Sequence, residues 1–370
     1  MAGDRRFVAA RLRAHEDAIA LRLPPPDGVS RSFNVAIGDP QASLAMFLRV
    51  LDLNGLLGED GRIRREVGLV SLGDHFDWGS PDDRETATAD GTCILAWLAA
   101  HPPDQVQIIV GNHDLARVAE LGSFSDAQFL EARTLAETCV SPNRVAEFLE
   151  RHPSLASPAV ILNDYTCFDV RQRALVSKLL RLRRVRLAVA AAPDLLLVHA
   201  GVTNDDLAHL GPLEAYDAPR IANALNQFLD ERVSRWKGEG ALDLAPLHQF
   251  GSARDGEPRG ILAHRPANPE LKMTNRASRR YDPRTLPSGV TQVIGHINDK
   301  KCRELMGNWA ESPKHELGVL RGLKLGASPR YHSRCDDEDR LVFVDGAMNL
   351  VAPFEYELFD LELRQRLIPR

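Results

Sequence analysis

Short apolar runs, each ended by a glycine or a polar group, recur along this chain. FNVAI precedes Gly38-Asp39, VGLVSL precedes Gly73-Asp74, and VQIIV precedes Gly111-Asn112-His113-Asp114. Further on, DLLLV precedes His199-Ala200-Gly201, TQVI precedes Gly295-His296, and LVFV precedes Asp345-Gly346. Runs of β-branched and aliphatic residues bounded in this way predict buried strands. The stretches Gln41–Leu53, Asp83–Ala100 and Ser125–Arg151 between them are helical in pattern. That alternation predicts an α/β or mixed-sheet sandwich. The polar residues all fall at strand ends, where open α/β sheets place their ligands.

The remaining stretches fit around this frame. Phe7, Val8, Leu12, Ala18 and Leu21 have helical spacing, and Pro24-Pro25-Pro26-Asp27-Gly28 stops that helix. Residues 1–30 therefore read as an N-terminal helix and Pro-rich linker, and residues 31–370 as the main domain. Residues 115–183 are helical in pattern and read as an insertion that caps or flanks the site. Its Arg-rich run, 171–186, reads as an amphipathic helix with a solvated face. A hairpin, RVRLAVAA–APD–LLLVHAG, follows. Residues 250–290, rich in Arg, Pro, Gly and Asn, read as a long loop of the kind that often carries function.

Composition narrows the function classes. With 44% hydrophobic and 26% charged residues the chain is of globular type. A net charge of −5 argues against a dedicated nucleic-acid binder, whose footprint is a basic excess. It does not bear on a small anionic substrate, for which a local cluster of cations suffices. The five cysteines, Cys93, Cys139, Cys167, Cys302 and Cys335, are scattered singly, which fits a reducing compartment better than a disulfide framework or structural zinc site. The N-terminus is interrupted by charges, and no run of 18 apolar residues occurs. A cytoplasmic protein with no membrane partner is expected.

Taken singly, each strand-end motif is a turn or a helix cap. Together they bring Asp39, Gln41, Asp74, Asp77, Asn112, His113, His199 and His296 to one sheet edge. Carboxylates, amide oxygens and imidazoles in one cluster are the donor set for a pair of first-row divalent ions. Two such metals form the usual clamp for displacement at phosphorus.

The ordered set GD-x-Q, GDHFDWG, GNHD, VHAG and GHIN, over residues 33–299, resembles the calcineurin-like metallophosphoesterase superfamily. Within it the likeness is to the bacterial branch of the phosphoprotein-phosphatase type. The resemblance implies a four-layer α/β/β/α sandwich of two mixed sheets with a dinuclear site at the strand ends. It implies Asp39 and Gln41 on the first metal, Asp74 bridging, and Asn112, His199 and His296 on the second. It implies in-line attack on phosphorus by a hydroxide held between the metals, with His113 protonating the leaving oxygen and Asp77 orienting its ring. Asp114 reads as a helix cap. The expected cofactors are two divalent ions (Mn, Fe, Mg or Zn), and the expected partner is a phosphorylated small molecule or phosphoprotein.

Two residues depart from the family pattern. Gln41 stands where His is usual, which predicts a looser first site favouring Mn²⁺, Mg²⁺ or Fe²⁺ over Zn²⁺. Trp78 stands where an Arg grips phosphate, so another cation must supply that charge. Arg265 in GILAHRPANP is the first candidate, with Arg259 and Arg84 behind it. His75 and His264 read as supporting or solvent-exposed residues, and Asp345 as a strand-end turn or a support for His296. The expected activity is phosphomonoester hydrolysis, including phosphoserine or phosphothreonine. The alternatives are a nucleotide or dinucleoside polyphosphate hydrolase, for which Trp78 could offer a stacking surface, and a degenerate scaffold that binds a phosphorylated partner.

Overall fold

A computed structural model describes residues 2–31, 34–212, 216–238, 240–272 and 279–368, the side chains of residues 2–4 excepted. The apolar runs form two six-stranded mixed sheets. In the first, Val35–Ile37, Leu69–Ser71, Val106–Ile109 and Val185–Arg186 lie parallel and in that order. The C-terminal strands Phe359–Asp360 and Gln365–Arg366 extend it antiparallel beyond Val35–Ile37. In the second, Leu341–Phe343, Thr291–Ile294 and Leu195–Val198 are parallel neighbours. Arg321–Lys324 with Arg330–Ser333 borders them on one side, and Ala188–Ala192 on the other.

The parallel strands are largely buried on both faces, as their mainly apolar sequences require, with Gln107, Arg186 and Thr291 partly exposed. Ala36, Val70 and Ile109 of the first sheet pack against Leu195, Leu197, Val293 and Val342 of the second in one core. A larger core lies outside it, where Phe47, Leu48, Leu51, Ile94 and Trp97 of two helices cover the first sheet, and Ile221, Leu225 and Leu229 of a third cover the second. The architecture is therefore the expected α/β/β/α sandwich. The chain crosses between sheets at Leu187, where the Asn226 side chain accepts from the Leu187 and Ala188 amides (2.9 and 3.2 Å) and donates to the Ala188 carbonyl (2.8 Å).

The N-terminal helix, Ala2–Ile19, is fastened to the body. Ala10 and Ala14 are fully buried, and Arg62 pairs with Asp17. Residues 115–183 include the helices Asp126–Glu137, Pro142–Arg151 and Val170–Arg181 and have a core of their own around Phe129, Phe148, Leu155 and Phe168. The Arg-rich run differs from a simple solvated face: Arg184 is buried and donates to the Ala99 and His101 carbonyls, and Arg173 donates to those of Gly122 and Phe124. Residues 250–290 are not all loop. Gln249 and Arg259 pair across one short ladder, and Arg265–Pro266 pairs with Arg280–Tyr281, while residues 273–278 lie outside the described residues. No described helix is long and apolar enough to cross a membrane.

Candidate metal centre

The strand ends of both sheets converge, and close backbone approaches hold them there. A Cβ on Gly111 would lie 2.0 Å from Asp74 Oδ1, and one on Gly295 would lie 2.0 Å from Asp39 Oδ1. Only glycine allows either contact. Asp74, Asp77 and His296 have φ of 54°, 67° and 64°, the left-handed region that costs an L-residue energy and clusters at functional sites. Asp114 ties the loops together. Its Oδ2 accepts from the amides of Asp74 (3.0 Å) and Gly111 (2.9 Å), and its Oδ1 from the His75 amide (3.0 Å). It does cap its own short helix, but it also fixes the backbone of Asp74.

Asp74, His199 and His296 bring ligand atoms within 4.8 Å of one another and can hold a metal ion. His199 Nδ1 donates to the Leu72 carbonyl (2.7 Å), so a neutral ring turns the Nε2 lone pair inward. That nitrogen lies 3.1 Å from Asn112 Oδ1 and 3.3 Å from Asp74 Oδ2. Three acceptors facing one another need a proton or a cation between them. In its absence, burial would keep His199 neutral, but the Asp74 carboxylate outweighs burial and raises its pKa. His296 Nε2 faces the Ala263 carbonyl at 3.2 Å, which leaves Nδ1 as its free lone pair. Burial, then Arg265, pushes this imidazole well below its ordinary range.

Asp39 sits beside them, 3% exposed. Its Oδ2 accepts from the His296 amide (2.8 Å), and its Oδ1 is buried with no hydrogen-bond partner. Burial raises its pKa well above the carboxylate range, and the charges of Asp345 and Asp74 add to this. An orphaned carboxylate oxygen next to a cluster of acceptors fits a cation site, since a buried polar atom without a partner is otherwise costly. Gln41 donates from Nε2 to the Phe76 carbonyl (3.0 Å), so its amide oxygen is the atom left to face the cavity it lines.

His113 stands at the edge of this cluster, its Nε2 3.9 Å from Asp74 Oδ2 and its Nδ1 2.9 Å from Asp77 Oδ2. Burial would lower its pKa, but Asp74 and Asp77 outweigh that and raise it to about 9. Asp77 is itself gripped by Arg117, Nη1 to Oδ2 2.8 Å, with both side chains fully buried. Burial of Asp77 is overcome by the Arg117 and His113 charges, which hold it below the usual carboxylate range. Arg117 was not singled out in the sequence. The available signal was its place four residues after His113, whose carbonyl it meets at 3.0 Å.

A cavity of about 290 Å³ opens over these residues. Gln41, Asp74, Asn112, His113 and His296 line it together with Glu120, Tyr165, Arg265 and Arg279. Asp345 also lines it, so this residue is more than a turn, although its Oδ1 does accept from the Ala347 amide (2.9 Å). Trp78 is not among the lining residues. Arg84 faces Glu137 at 3.6 Å, and the exposed Arg259 is bound to Gln249 at 2.7 Å, so neither lines the cavity. His75 and His264 are buried, not exposed: His75 is bound to Asp114 and Ser71, and His264 faces the Gly201 carbonyl at 2.8 Å.

A second cluster, His332, Asp336 and Asp339, also has metal-like spacing. Lys324 already pairs with Asp336 (2.6 Å) and His332 with Asp339 (2.9 Å), so its charges are compensated internally.

No protein-family model matches this sequence, and no curated protein does. Among solved structures, the chain is similar to a protein serine/threonine phosphatase from Saccharomyces cerevisiae that is described as similar to human phosphatase PP5. The identity is 11%, the match covers 93% of this chain and 77% of that one, and the TM-score is 0.35. A likeness at that level says nothing about activity.

Proposed function

We propose that the protein is a metal-dependent phosphoester hydrolase acting on phosphomonoesters, a phosphorylated side chain included. The observation that carries this reading is the convergence of acceptor atoms, Asp74 Oδ2, Asn112 Oδ1 and His199 Nε2, beside the buried and unpartnered Asp39 Oδ1. Asp39, Gln41 and Asp74 would hold one divalent ion, and Asp74, Asn112, His199 and His296 a second. Bound there, such ions supply charge for the phosphoryl oxygens and an activated water.

The remaining steps fall to the protein. His113, held through Nδ1 by Asp77 at 2.9 Å, lines the cavity, where it would give a proton from Nε2 to the leaving oxygen. Arg117 fixes Asp77 and so the direction of the imidazole ring, without touching substrate. Arg265 would add positive charge to the phosphoryl pocket that it lines. A cavity of about 290 Å³ is at the small end for a ligand site. That size favours a compact ester over a dinucleoside polyphosphate, and Trp78 lies off the lining where a base would need it. The His113–Asp77–Arg117 chain has no use in a scaffold that merely binds a phosphorylated partner.

His113→Asn tests the reading. It should retain metal and lose about 10²–10⁴-fold in rate on alkyl phosphates. On p-nitrophenyl phosphate, whose leaving group hardly needs a proton, the loss should be much smaller. Equal losses across leaving groups of different pKa would remove His113 from the proton-transfer role.

A further inference from the structure

The family arginine replaced by Trp78 leaves phosphate without one of its usual cationic grips, and Arg84 and Arg259 do not line the cavity. Arg279, which no sequence motif marks, does. It immediately precedes the strand Arg280–Tyr281, whose Arg280 is in register with Arg265. The short ladder thus brings two cavity-lining arginines together, Arg265 on one strand and Arg279 at the foot of the other.

Arg279 is only 6% exposed. Its Nη1 lies 3.2 Å from Glu257 Oε2, and its Nε donates to the Ala263 carbonyl over a long 3.4 Å. A guanidinium has five N–H donors in a rigid fork, and these two contacts engage only part of it. Glu257 is itself partly open to solvent, at 31% side-chain exposure, which weakens a purely structural ion pair. Arg279 Nε and His296 Nε2 face the same Ala263 carbonyl, at 3.4 and 3.2 Å, so the guanidinium stands beside the metal side of the cavity.

We infer that Arg279 is an anion-binding residue of this cavity, gripping phosphoryl oxygens beside His296 in place of the arginine absent at position 78. The inference rests on the phosphoesterase reading and names a binding residue for it. Arginine suits the task because its planar fork meets two oxygens of one phosphate, which a lysine ammonium does not.

The test is binding of inorganic phosphate, by calorimetry, to metal-loaded and metal-free protein of known metal content. Arg279→Ala should keep the metals and bind phosphate about 10–100-fold more weakly, the worth of hydrogen bonds to a charged group. Arg279→Lys keeps the charge and guards against misfolding of the alanine variant. It should fall between wild type and alanine, while Arg259→Ala should match wild type. Wild-type phosphate affinity in Arg279→Lys and Arg279→Ala at equal metal content would overturn the inference. A wild-type protein that takes up no metal would instead refute the phosphoesterase reading. Phosphate binding that persists there and is lost in the Arg279 variants would still support the anion site.

Discussion

Glu120 offers a sharp test of how the helical segment 115–183 packs over the cavity. The residue is 4% exposed, and Oε1 accepts from the Tyr165 hydroxyl (3.2 Å) and the Gly251 amide (3.1 Å), joining the helical segment to the stretch after residue 250. Burial raises its pKa from 4.5 to about 7 against the opposing hydrogen bonds. The folded state therefore binds more protons than the unfolded state between those values. Its stabilising contribution is fully present below about 4.5 and is lost as pH rises through about 7. At 1.36 kcal/mol per pKa unit, a shift of this size amounts to about 3 kcal/mol. Glu120→Gln keeps the accepting oxygen and removes the ionisation. The variant should match wild type near pH 4.5 and exceed it by up to about 3 kcal/mol at pH 8. For a chain of this length that is about 4 °C in Tm. Thermal unfolding at matched metal content, from pH 4.5 to 8, would show the two curves diverging. Parallel curves would refute the claim that Glu120 is buried at a cost to its charged form.

Other perturbations have equally definite outcomes. Arg117→Met strands the buried Asp77 carboxylate and should cost about 3–5 kcal/mol in denaturant unfolding. A loss below about 1 kcal/mol would show that Asp77 is not dependent on this partner. Gln41→Ala should lose one metal equivalent in preference to the other under a weak chelator, and retention of two equivalents with wild-type affinity would exclude Gln41 as a ligand.

The strand ends were legible because most of the buried parallel strands are mainly apolar runs followed at the same end by a polar residue, Val185–Arg186 being the exception. Asp39, Asp74, Asn112, His199 and His296 could be gathered on that basis alone. Of the antiparallel strands flanking them, only Ala188–Ala192 was legible, as part of a hairpin. Phe359–Asp360 and Gln365–Arg366 span two residues each, too short to show a period, and Arg321–Lys324 and Arg330–Ser333 begin with arginines. Arg321 is nevertheless fully buried, because the Tyr331 hydroxyl and the carbonyls of Ile297 and Asp345 accept its protons. Arg117, Glu120 and Arg279 escaped for the same reason. Whether a charged side chain is buried depends on partners far away in sequence, such as the Cys167 amide that binds Asp77 Oδ1 across 90 residues. Hydrophobic periodicity carries no trace of such partners.

The central claim is that the converging acceptors form a metal centre organised by Asp74. Its most direct test is metal analysis of the purified protein after dialysis against a weak chelator, for wild type and Asp74→Asn. Asn keeps an oxygen able to accept from the His113 amide, which now bonds Asp74 Oδ1 at 2.9 Å, so the loop should persist. Two equivalents of divalent metal in wild type, and loss of both in Asp74→Asn with an unchanged circular dichroism spectrum, are the predicted results. Full metal occupancy in Asp74→Asn, or a wild-type protein that binds no divalent ion, would contradict the account.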